Sequence, residues 1–261
     1  MTPFGQTNPL SKVTSMPYSY DIAEGNITGH AVFKKLGYNA NVGATEEDIW
    51  TESGVYPWIA AGGVALEVVS SDANDTVAGT GVQKVKVTYL KSDYSEASET
   101  LDMDGATPAP LTYITALRVN SIRATQVGTG GVAAGLISCR LVGAPATVYR
   151  TISAGYTRGR GLVYTVPLGK TLYVTSILVS SGYTTAGKVV RWTARAQVDD
   201  TDTATKINFF QPWFETITED TSVDKQFTFP VRIPATADVK VSAMSDGATS
   251  FTSGYMEGWL E

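Results

Sequence analysis

Histidine and cysteine are nearly missing from this 261-residue chain, which holds one of each, His30 and Cys139. One thiol cannot close an internal disulfide, and one imidazole is too few for a histidine-rich metal site. A serine hydrolase would have to use that same imidazole, and no Gly-x-Ser-x-Gly elbow occurs. Positive charge is also short: 20 Lys+Arg stand against 25 Asp+Glu, for a net charge of −5. A chain of that sign has no field with which to capture phosphate backbones or anionic lipid indiscriminately, so neither nucleic acid nor a membrane is an expected partner. The most apolar stretch, around 172–180, is broken by Thr and Ser and falls far short of the roughly 20 residues of a spanning helix. Met1-Thr-Pro-Phe-Gly5 shows neither the basic start nor the apolar run of a secretory signal, and a soluble protein is expected.

Leucine is scarce as well, with 14 residues against 34 of threonine. Such an excess of β-branched side chains favours strands over helices, and an apolar fraction of 43% suffices for a sizeable core. The expected class is all-β. Val85, Val87 and Tyr89 alternate with Lys84, Lys86 and Thr88, which puts the apolar set on one face of a half-buried strand. The same period of two places Val190, Trp192, Ala194 and Ala196 on one face, and likewise Phe227, Phe229, Val231 and Ile233. Residues 172–180 are apolar on both faces, as expected of a central strand or of one covered by another subunit. Pro167-Leu-Gly-Lys170 reads as a tight turn between strands at 163–166 and 171–180, a hairpin, and residues 71–81 as a polar loop. Thr45-Glu-Glu-Asp-Ile-Trp50 has the acidic first turn of a short helix.

These patterns divide the chain into an extended N-terminal arm, 1–25, rich in Pro, Ser, Thr and Tyr, a β-sandwich over 26–145, and a second, jelly-roll-like sandwich over 146–261. The boundary rests on the cluster Gly143, Pro145, Gly155, Gly159 and Gly161.

Few residues suggest chemistry. Cys139, in Gly135-Leu-Ile-Ser-Cys-Arg-Leu-Val142, reads as a small buried residue of a strand, and His30 as structural or surface-exposed. Asp72 with Asp75, Asp102 with Asp104, and Asp199, Asp200 and Asp202 are spaced closely enough to offer oxygens to a cation or to act as paired carboxylates. None completes a calcium loop, and solvated turns explain them better. Gly169-Lys170-Thr171 echoes a phosphate loop but lacks its upstream glycine. No catalytic residue, cofactor or metal is expected. The candidates left are interface residues: Phe4, Tyr18 and Tyr20 of the arm, and Arg158 and Arg160 in a glycine loop that could pair with acidic groups of a partner.

Gly25-Asn-Ile-Thr-Gly-His30, Lys34-Lys-Leu-Gly-Tyr-Asn39, Glu46-Glu-Asp-Ile-Trp50 and Gly54-Val-Tyr56, in that order, resemble the opening of virion structural proteins of tailed bacteriophages and prophages. The resemblance continues through Ser70-Ser-Asp-Ala-Asn-Asp-Thr76, Val85-Lys-Val-Thr-Tyr-Leu90, Leu117-Arg-Val-Asn-Ser-Ile122 and Tyr164-Thr-Val-Pro-Leu-Gly-Lys-Thr171, and so spans about residue 25 to the end. It implies a non-enzymatic protein of the phage particle, made in the bacterial host cytoplasm, of the capsid decoration or cement type. Its partner would be the major capsid protein or another virion protein, and it would form a dimer or trimer. A collar, head-fibre or tail component that binds host glycan is the alternative, and a polysaccharide-acting β-sandwich enzyme a remote one.

Overall fold

The computed structural model describes residues 18–183, 189–197, 210–219, 222–247 and 250–261. Helix α1 (Tyr18–Ala23) leads into β1 (Ala31–Val42) and the two-residue β2 (Glu47–Asp48). Seven strands follow: β3 (Leu66–Ser70), β4 (Val82–Leu90), β5 (Glu96–Asp102), β6 (Ala109–Pro110), β7 (Arg118–Val127), β8 (Ile137–Leu141) and β9 (Ala144–Ile152). The last block is β10 (Val163–Thr165), β11 (Leu172–Tyr183), β12 (Val189–Ala196), β13 (Gln211–Glu219), β14 (Ser222–Ile233), β15 (Asp238–Ser245) and β16 (Ser250–Leu260).

The chain is all-β, and its antiparallel sheets form two sandwiches. One is built from the sheets β6-β3-β8-β9 and β5-β4-β7, the other from β1-β16-β11-β14 and β10-β15-β12-β13, with β2 added beside β15. Alternation buries one face of each strand. Val85, Val87 and Tyr89 enter the first core with Cys139, and Val190, Trp192, Ala194 and Ala196 enter the second. The two cores do not follow one cut of the chain. The first draws on residues 59–152, whereas Phe33, Val42 and Ile49 join 162–256 in the second, because β1 pairs along most of its length with the last strand, β16.

Four local expectations need correction. Residues 18–23 are helix, not extended arm: Ile22 is buried at 4% exposure and anchors the turn. Residues 45–50 hold no helix, since Glu47 and Asp48 pair with Ala243 and Ser242. The turn at 167–170 exists, with Gly169 at φ 75°, but it carries the chain from β10 in one sheet to β11 in the facing one, so it is an arch and not a hairpin. The alternation at Phe227–Ile233 fails because, between the pairs Val174↔Val231 and Ser176↔Gln226, β14 spends four residues where β11 spends one. That bulge leaves Phe229 84% exposed while Ile233 is buried. The glycine-rich stretch after β9, by contrast, is held close to β7. A Cβ on Gly159 would lie 2.6 Å from Ile122 Cγ2 and 2.8 Å from Thr151 O, so only glycine lets this strap run so close to β7.

Between the cores lies a polar layer whose members are all bonded. Arg118 donates through Nε and Nη2 to the two Asp238 oxygens at 2.9 and 2.8 Å, and through Nη1 to the carbonyls of Ile59 and Leu117. Asn120 and the Thr165 backbone exchange a donor and an acceptor at 2.9 and 3.0 Å. Asp48 takes Lys240 at 2.9 Å, the Ser242 hydroxyl at 2.8 Å and the Tyr56 N–H at 2.8 Å. Trp50, Tyr56 and Val163 fill the space beside these pairs.

Candidate functional site

The strap that follows β9 sets Arg158 against β7, in an antiparallel bridge opposite Arg123. Gly159 N–H donates to Ile122 O at 2.9 Å and Gly161 N–H to Leu36 O at 2.7 Å, so the strap is tied to β7 on one side and to β1 on the other. A cleft of about 360 Å³ opens along this junction. Lys34, Lys35, Arg123, Arg150 and Arg158 line it, and no carboxylate does.

Its floor is unusual in charge. Arg150 is 4% exposed and bonds only to carbonyl oxygens, Nε to Val119 at 3.0 Å and Nη2 to Val163, with its guanidinium over the Tyr56 ring. Burial lowers its pKa. Lys35, partly buried, donates to Asn120 O and lies over Tyr164. Burial, with Arg150 and Arg158 nearby, holds its ammonium well below the usual 10.5, against a weaker opposing pull from Glu96. At the rim Arg123 and Arg158 are exposed, and no described carboxylate lies within ion-pairing distance of either; Lys34 reaches Glu257 at 3.5 Å.

This arrangement has a consequence for pH. The unfolded chain holds a proton on Lys35 up to its ordinary value, whereas the folded chain gives it up earlier, so raising the pH through that window stabilises the fold. Wild type should therefore gain stability relative to Lys35→Met as the pH rises from neutral to about 10. Urea midpoints of both proteins across that range check this, and parallel curves would count against the burial of this ammonium.

A second surface is apolar. Register places Val32, Leu36 and Tyr38 of β1 beside Trp259, Tyr255 and Ser253 of β16, and these in turn beside Tyr173, Leu178 and Ser180 of β11. This is the outward face of the sheet, where Val32 is 57% exposed, Leu36 47% and Phe251 49%. Tyr173 stacks on Trp259 at 5.2 Å. The strand at 172–180 is thus central in its sheet, with Leu172, Val174, Ile177 and Val179 turned into the core and Tyr173 and Leu178 on the outer face.

Of the residues expected to form an interface, Tyr18 lies beside the apolar face and Arg158 lines the cleft. Tyr18 packs edge-on against Trp259 at 5.5 Å and meets His30 Nε2 through its hydroxyl at 2.8 Å, at one end of the apolar face. Tyr20 is 59% exposed. Arg160 sits over the rings of Tyr156 and Tyr38 at 3.9 and 4.5 Å, while Arg158 lines the cleft. Phe4 lies outside the described residues, as do Asp199, Asp200 and Asp202. Sequence reading missed Lys35, Arg123 and Arg150, each an ordinary strand residue in its local pattern.

The acidic pairs have structural partners. Asp75 is fully buried and accepts from the N–H groups of Val82, Ala134 and Gly135 and from the Ser70 hydroxyl. Asp102 pairs with Lys84 at 2.5 Å. Among the described residues no group of three or more His, Cys, Asp or Glu is placed to hold a metal ion. Cys139 is buried, and burial pushes its thiol up to about 12, which keeps it protonated and inert.

No protein-family model matches the chain, and no curated protein does. Among solved structures, a chain of the infectious bursal disease virus Gt strain aligns over 94% of this chain and 78% of its own, at 12% identity and a TM-score of 0.23. A chain of T=1 particles derived from the same virus aligns over 89% and 69%, again at 12% identity and a TM-score of 0.23. Scores of this size do not establish a shared fold.

Proposed function

We propose that this chain is a non-enzymatic virion structural protein of the capsid decoration type, which self-associates as a dimer or trimer and sits on a major capsid protein or another virion protein. The observation that carries the reading is the outward apolar face of β1, β16 and β11. Val32 and Leu36 of β1 and Phe251 of β16 stand in water along this one sheet face, with the Lys34–Glu257 ion pair between Val32 and Leu36, and exposed apolar side chains on a rigid sheet rimmed by polar groups are what subunit contacts cover. The resemblance of residues 25–261 to phage structural proteins supports the same reading, and a chain with one histidine and one cysteine is compatible with it. A protein that binds a repeated surface in many copies needs only modest contacts at each, because multivalency multiplies them.

Two measurements test this. Light scattering after gel filtration should give an oligomer for wild type and a folded monomer for Leu36→Glu, whose new charge cannot be buried unpaired at the contact. Wild type should also sediment with empty shells of the phage or prophage that encodes it. A monomeric wild type that stays in the supernatant would overturn the proposal.

A further inference from the structure

The cleft between the two cores collects positive charge with no carboxylate among its lining residues. Lys35, Arg123, Arg150 and Arg158 come from β1, β7, β9 and the strap, and none has a described carboxylate within ion-pairing distance. Like charges opposed across a strand pair, as in the Arg123↔Arg158 bridge, repel one another and weaken the fold unless an anion intervenes. The whole chain nevertheless carries −5, so the cleft is a positive spot on a negative body. Such a body keeps polyanions such as nucleic acid at a distance and admits a local acidic group that can reach the spot.

We infer that this cleft binds the carboxylates of an acidic polypeptide segment presented by a partner protein. Its volume of about 360 Å³ takes a few side chains and is too small for a folded domain. Guanidinium forks at the rim match carboxylates two bonds at a time, with the Lys35 ammonium and the buried Arg150 below them as fixed positive charge. Phosphate can meet the same guanidinium forks but gains no backbone cradle, because the Gly159 and Gly161 N–H groups of the strap are already bonded to Ile122 and Leu36. A sugar acid is disfavoured because no aromatic ring lines the cleft to stack against a pyranose. The inference does not depend on the virion reading, since any partner with an exposed acidic segment would satisfy it.

Titration calorimetry of the full chain with hexaglutamate, hexaglutamine and inorganic phosphate tests it. Hexaglutamate should bind in low salt and weaken as ionic strength rises, and hexaglutamine should not bind. The double variant Arg123→Ala/Arg158→Ala, at two exposed positions, should melt at or slightly above the wild-type temperature in the absence of peptide and lose about tenfold or more in affinity. Lys84→Ala, which removes one positive charge outside the cleft, should bind as wild type does. Absence of hexaglutamate binding overturns the inference, and so does equal binding by the double variant. Equal weakening by Lys84→Ala would show net charge alone at work. Phosphate binding as tightly as the peptide would assign the cleft to a free oxyanion instead.

Discussion

Arg118→Met is expected to lower the free energy of unfolding by about 3–5 kcal/mol, because it strands a buried carboxylate. Asp238 is 2% exposed and Arg118 8%, and the pair closes two bonds at 2.9 and 2.8 Å across the gap between β7 and β15. The same guanidinium also satisfies the Ile59 and Leu117 carbonyls and lies over the Trp58 ring at 5.2 Å. Removing it therefore takes the guanidinium from Asp238 and the donor from two carbonyls at the junction of the two cores. The double replacement Arg118→Met/Asp238→Leu should recover part of the loss, since no isolated charge remains, though the Thr165 hydroxyl forfeits its acceptor at 2.5 Å. Urea unfolding of the three proteins measures both effects. A loss below about 1 kcal/mol for the single variant would mean that the pair behaves like a solvent-exposed bridge.

Asp75→Ala should cost about 4 kcal/mol, the second large effect. Its carboxylate gathers three backbone N–H groups at 2.7, 2.9 and 2.9 Å and the Ser70 hydroxyl at 2.6 Å, from loops that are more than fifty residues apart in sequence. Each donor left unpaired in the interior costs roughly 1–3 kcal/mol, with some relaxation among neighbours. Gly81 shows how closely the site is built, because a Cβ there would stand 2.2 Å from Asp75 Oδ1. Asp75→Asn keeps one acceptor oxygen and should fall between wild type and Asp75→Ala. If calcium, added to wild type, moved the unfolding midpoint while Asp75→Ala unfolded at the wild-type midpoint, the structural role given to this carboxylate would fail.

Both residues illustrate why single positions mislead when read in isolation. Asp75 stands in a polar glycine-containing loop, where aspartate is ordinarily solvated, and nothing within ten residues of it reveals the N–H groups of Ala134 and Gly135. Arg118 opens β7, whose first three residues are all buried, so no local alternation points to its partner. Trp192 and Cys139 were legible because burial of an apolar side chain on one strand face follows from local period alone. Phe229 was not, since the same period continues through a bulge that only the pairing of β14 with β11 reveals.

The amino-acid order by itself determined the all-β class, the faces of the regular strands and the presence of a turn at 167–170. These depend on propensity and on a two-residue period, which are properties of short segments. Only the tertiary structure decided that β1 completes the sheet of the last strand, that residues 153–161 strap two cores together, and that Lys35, Arg123, Arg150 and Arg158 share one cleft. Those outcomes join residues up to about two hundred positions apart. Pairing at that range is selected by how well whole sheets bury one another, and no local stretch of sequence records it.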